Sequence, residues 1–221
     1  MILCYPQMET IFDFSQGKIP AIVIEHPGFY RAFMLNLYAQ KAGEEGIFVL
    51  SERGKTLEIS QWVEVIDNCL DFQINTKTLV GKISAALERT AVNEQFFLKT
   101  AELLQSVEQY MEELAFSFVC DIVCQKCTIS SLIKAMSVHV RDEYDDPLER
   151  LIDYMELTRE FDKDKLFIFN HLRSYFSDDM IENFLNTVCA HGYRVLLVDD
   201  IDRKRLPQEM RVTIDKDLCE F

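Results

Sequence analysis

Apolar residues recur along this chain with two different periods. In the first third, "AIVIE" (21–25) is a continuous apolar run of strand length. After Pro27, Tyr30, Phe33, Met34 and Leu37 return at i, i+3, i+4 and i+7, which predicts a helix that Gly43 can end. "GIFVL" (46–50) predicts the next strand, and "KTLEI" (55–59) and "WVEVI" (62–66) alternate nearly as strands do. "DFQIN" (71–75) closes this part.

From about Asn75 the period lengthens. Leu79, Ile83 and Leu87 share one helix face, and Leu104, Val107, Met111 and Leu114 keep 3-4-3 spacing, as two packed helices would. Thr128 can cap a short helix through "SSLIKAM", and "SVHVR" (137–141) predicts a strand. Asp146 and Pro147 supply an N-cap and a first-turn proline to a helix with Leu148, Leu151, Ile152 and Met155 as its stripe. Beyond it "KLFIFN" (165–170), "YRVLLV" (193–198) and "MRVTID" (210–215) are apolar strands. Between the first two, Ser177 caps a helix bearing Met180, Ile181, Phe184, Leu185 and Val188; Gly192 ends it, with His191 serving the helix end.

Strand, helix, strand with continuous apolar strands implies parallel neighbours in a sheet covered on both faces. Both ends of the chain supply such strands. The expected fold is therefore α/β, with a discontinuous head domain of residues 1–75 plus 161–221 and an inserted, mainly helical domain at 76–160.

Composition narrows the partners. With 221 residues and 48% hydrophobic content the chain can bury one good core plus a helical annex. No apolar run approaches a bilayer span, and "MILCYPQMETIFDF" lacks the basic start of a signal peptide, so no membrane is expected. Seven cysteines spread along the chain do not form a disulfide framework, which points to a reducing cytoplasm. Against 37 acidic residues stand 23 Lys and Arg, a net charge of −14, which disfavours a broad nucleic-acid surface but permits a local basic groove.

Two stretches carry candidate chemistry. "SERGKT" (51–56) ends like a phosphate-binding loop, and "LLVDD" (196–200) places Asp199 where a magnesium carboxylate could stand. A working loop also needs an earlier glycine, where Val49 stands, and a helix after it, where "KTLEI" reads as strand. A hairpin turn is the expectation, with no nucleotide bound. "CDIVCQKC" (120–127) has the C-x3-C-x2-C spacing of some iron–sulfur ligands, but too little chain follows for the barrel such enzymes need. Zinc would take Cys120, Cys124, Cys127 and His139; partly buried packing thiols are the simpler expectation. No G-x-S-x-G elbow or histidine spacing marks a hydrolase.

Three segments together resemble one family. "KTLEISQWVEVIDNCLDFQINTKTLVGKI" (55–83), "ISSLIKAMSVHV" (129–140) and the tail from "KLFIFNHLRSYF" through "LLVDDIDRKRLPQEMRVTIDKD" (165–217) are similar to the small ring-forming protein of type II-A CRISPR adaptation loci, required when spacers are acquired. The resemblance implies a head similar to P-loop ATPases without a functional phosphate loop, and a helical insertion. It also implies a homotetrameric ring that threads linear double-stranded DNA through a positive hole. No catalysis is implied, and the partners would be the adaptation integrase and the effector nuclease of the locus.

A ring reconciles DNA with an acidic chain, because a few inward cations from each subunit can focus potential on the duplex. The candidates for contact are Lys126 and the triplet Arg203-Lys204-Arg205. Relatives are also expected to bind calcium through alternating acids before the short helix. Here "CDIVCQ" (120–125) falls over that run, leaving Asp121 as its acid, with Val123 and Gln125 where carboxylates would be. Calcium takes about six to eight oxygens, so this segment is short of ligands unless "RDEYDD" (141–146) supplies them. Two other classes fit the same sequence: a nucleotide-binding regulator with a degenerate site, and a protein-interaction module without DNA affinity.

Overall fold

A computed structural model describes residues 1–221. The elements in chain order are β1 (Ile2–Cys4), β2 (Ile11–Asp13), β3 (Ile19–Ile24), α1 (Pro27–Lys41), β4 (Val49–Glu52), β5 (Lys55–Leu57), α2 (Ile59–Trp62) and β6 (Val63–Ile66). There follow α3 (Lys77–Ala91), α4 (Phe97–Ala115), α5 (Ile129–Ala135), α6 (Pro147–Phe161), β7 (Leu166–Asn170), α7 (Asp178–His191), β8 (Arg194–Asp199) and β9 (Glu209–Ile214). The fold is α/β with two sheets. Contacts divide it into two compact units, Met1–Phe72 with Tyr144–Phe221, and Gln73–Glu143.

The larger unit is built on a five-stranded sheet in the order β6-β7-β8-β3-β9. Every pairing in it is parallel. All residues of β3 and β7 are buried, as expected for strands covered on both faces. A second sheet, β2-β1-β4-β5, is antiparallel. Its inward residues Leu3, Phe12 and Leu50 join Ile22, Ile24, Phe33, Leu37 and Leu196 in one core. There Tyr5, Phe33 and Phe48 cluster with ring centroids 4.5–5.0 Å apart. Truncating the buried Phe33 to alanine should cost about 3–5 kcal/mol, from lost transfer energy and the cavity left behind.

Helix ends follow the sequence signals. Asp146 accepts from Leu148 N at 2.8 Å, and Ser177 caps α7 through Met180 N at 3.4 Å. Gly192 takes the left-handed conformation, φ 67°, that closes α7. Thr128 and Ser131 form a reciprocal capping box on α5.

Several expectations are corrected. "GIFVL" contributes only Val49 and Leu50 to a strand, and β5 stops at Leu57, because Ile59 turns into α2 and buries there. "SVHVR" is not a strand. Ser137 takes φ 49° after α5, and the N–H and carbonyl of Val140 pair with the Asn75 side chain at 2.8 and 2.9 Å in place of a ladder. β1 and β2, three residues each, were not expected at all. In the smaller unit α3 packs on α5, but α4 buries no residue: Met111 and Leu114 of the expected packed stripe are exposed.

Candidate functional site

"SERGKT" is a hairpin. Arg53 and Gly54 both have positive φ, 49° and 77°, as a two-residue hairpin loop requires, and Glu52 pairs with Lys55 across it. Lys55 and Thr56 are exposed residues of the antiparallel sheet, whereas Asp199 ends β8 of the parallel sheet. They do not form two halves of one site.

The position that a phosphate loop would take in a parallel sheet is the turn from β3 into α1, with sequence "EHPG" (25–28). One of its amides is missing and another is occupied. Pro27 has no N–H, and His26 Nδ1 accepts the N–H of Phe29 at 3.1 Å. The imidazole lies so close over the first turn that a Cβ on Gly28 would stand 2.9 Å from His26 Cε1. The His26 ring takes the place over this turn that an anion would need.

Beside this turn, polar groups gather at the carboxyl ends of β6, β7 and β8, the end of a parallel sheet where ligands bind in α/β folds. Asn170 ends β7, and His171 follows it in the left-handed region at φ 55°, its N–H held by Val198 O at 2.9 Å. Asp67 accepts from Asn170 Nδ2 at 3.1 Å and from the Tyr38 hydroxyl. The Tyr30 hydroxyl, from α1, donates to Asn170 Oδ1 and lies 2.8 Å from His171 Nε2, with the two rings stacked at 5.4 Å. On its other side His171 Nδ1 faces Asp199 Oδ1 at 3.5 Å and Asp200 Oδ1 at 3.4 Å. Burial first, with Asp200, Asp199 and Asp67 adding to it, pushes the Tyr30 phenol up to about 12, so it stays protonated at neutral pH. The donor atoms of His171, Asp199 and Asp200 all lie within 4.8 Å of one another.

The sequence-selected residues lie elsewhere or at the rim. Arg203 is half-buried, with Nη2 donating to Ser174 Oγ at 3.2 Å and Nε 3.9 Å from Asp199 Oδ2. Lys204 and Arg205 are exposed. The Arg173 guanidinium beside Asp178 holds that carboxyl below its usual range, with Lys204 and Arg203 contributing. Lys126 and Asp121 are exposed in the irregular stretch before α5. Cys120 and Cys124 are exposed rather than packed, and Cys127 is half-buried, which corrects the packing-thiol expectation for two of the three. The stretch forms no helix or strand that would cover them, and Val119 and Val123 beside them are exposed as well.

His171 and Tyr30 were missed in the sequence. Neither sits in a motif, and they meet Asp199 only through strand order. The available signal was the pair of acids at the end of a buried strand.

No helix is long and apolar enough to cross a membrane. Among curated proteins none matches the chain. The family model described as CRISPR-associated protein (Cas_Csn2) matches residues 40–218, from the end of α1 to beyond β9. Over four-fifths of its length, therefore, this chain belongs to the CRISPR-associated Cas_Csn2 family.

Proposed function

We propose that the protein is a non-catalytic, ring-forming component of CRISPR spacer acquisition that holds linear double-stranded DNA in a central channel. Membership of the CRISPR-associated family carries this reading. On it, the parallel-sheet unit is a P-loop-ATPase-like head, and Gln73–Glu143 is its helical insertion. The absence of catalysis is supported by the turn between β3 and α1, where Pro27 has no N–H and the His26 side chain takes the Phe29 N–H that a triphosphate would need.

Assembly into a homotetramer is supported by α4. Leu103, Tyr110, Met111 and Leu114 remain exposed on a single chain, an apolar face of the kind that subunit contacts cover. Lys126, Lys204 and Arg205 are free at the surface to face phosphates, while Arg203 is tied to Ser174 and Asp199 and would position its loop. With an exterior carrying most of a −14 charge, such a ring stays soluble and concentrates its cations inward.

Calcium fits poorly at segment 120–125. Asp121 is its lone carboxylate, and the neighbouring Glu108 already accepts the N–H of Cys127 at 2.8 Å. The reading also places the protein in the cytoplasm with the adaptation integrase and the effector nuclease as partners. Native mass spectrometry with a short linear duplex tests it. Four chains on one duplex are expected; a stable monomer in the presence of DNA overturns the ring.

A further inference from the structure

The proton order around His171 leads to a second site. Asp67 is an acceptor, so Asn170 must point its Nδ2 at Asp67 and its Oδ1 at Tyr30. The Tyr30 hydroxyl donates its hydrogen to Asn170 Oδ1. Its oxygen is then left to accept, and His171 Nε2 must donate. In the neutral imidazole this fixes the other nitrogen, Nδ1, as a lone pair, and it faces two carboxylates. Three electron-rich atoms thus converge within 4.8 Å of one another, and the one hydrogen near them is the Asp200 N–H, which Asp199 Oδ1 accepts at 3.0 Å.

Something cationic belongs in the middle. A proton on Nδ1 would draw a carboxylate to about 2.7–2.9 Å, the length of a charge-assisted bond. The separations are 3.5 and 3.4 Å, too long for that. These two separations match the edge of a tetrahedron around a metal with bonds of about 2.1 Å, which spans about 3.4 Å, and the third lies within 4.8 Å. The Tyr30 clamp on Nε2 is the outer-shell contact that fixes the tautomer of a metal-bound histidine.

We propose that His171 Nδ1, Asp199 Oδ1 and Asp200 Oδ1 bind one borderline divalent cation, zinc in the first place, with water completing its tetrahedron. One imidazole and two carboxylates favour such an ion over the harder calcium. This site is separate from the cysteine segment and from the DNA-binding reading, and it stands whether or not the protein forms a ring.

Cobalt(II) is a visible stand-in for zinc and separates this site from the thiols. Titration of the full chain should give visible bands saturating at one ion per chain, without the near-ultraviolet absorption of thiolate-bound cobalt. Asp200→Asn and His171→Asn should abolish the bands, while Cys124→Ser leaves them unchanged. Tyr30→Phe should weaken binding about 10–100-fold at unchanged stoichiometry. Asp200 has a side chain 49% exposed, so its variant keeps the fold, which an unchanged melting temperature in chelator would verify. Zinc should raise the melting temperature of the wild type but not of Asp200→Asn. Absence of saturable binding, bands that survive in Asp200→Asn, or thiolate absorption lost with Cys124→Ser would each overturn the site.

Discussion

His26 Nδ1 accepts the backbone N–H of Phe29 at 3.1 Å, closing the first turn of α1 with a side chain of the same segment. In a nucleotide-binding sheet that turn is where phosphate would sit. Purified protein should therefore show no phosphate release from ATP above background, with or without DNA. Lys55→Ala should change nothing, since Lys55 is an exposed hairpin residue. Turnover that disappears on changing Lys55 and Asp199 together would contradict this.

The Tyr30 phenol makes the fold sensitive to alkali. Its pKa rises from 10.0 to about 12 in the native state, chiefly through burial. A raised folded-state pKa gives stability that is full below the unfolded value and lost as pH climbs through the folded one. Wild-type stability should thus decline between about pH 10 and 12, and Tyr30→Phe should flatten that decline. Denaturant midpoints across this window measure it; an unchanged slope in the variant would count against the assignment.

Glu209 is fully buried and bonded to Arg173 at 3.0 Å, to Arg211, and to Leu206 N at 3.3 Å. Glu209→Ala leaves two guanidinium groups without their shared anion and should cost about 3–5 kcal/mol in chemical unfolding. A loss below about 1 kcal/mol would mean that the arginines find Asp178 and Asp202 sufficient.

The same chemistry separates the members of the basic triplet. Lys204→Ala and Arg205→Ala should weaken duplex binding across all sequences and each lower the salt slope by about 1, with the melting temperature unchanged. Arg203→Ala should instead lower the melting temperature, because its guanidinium braces Ser174 and Asp199. Salt-dependent binding and thermal melts on the three variants distinguish the roles.

Where burial is two-sided or a cap is strong, this fold could be read in advance. β3, β7 and β8 are continuous apolar runs, and the caps at Asp146, Ser177 and Gly192 set helix ends that the structure reproduces. Three-residue strands such as β1 carry too few positions to show a period, and their partners lie in distant segments. "SVHVR" alternates like a strand, yet Asn75 satisfies its backbone, which no pattern within the segment reveals. The histidine site was the least legible part. Asp199 was visible as a strand-end acid, but its neighbours His171 and Tyr30 come from the end of β7 and from α1, which the strand order alone brings beside it.

Threading through a ring requires an end, so competition between linear duplex and a small closed circle of the same sequence tests the central claim most directly. Gel-shift titration should show the linear form bound, with affinity falling steeply as salt rises, and the circle left free. Equal binding of the two forms, or binding of neither, would contradict a DNA-threading ring.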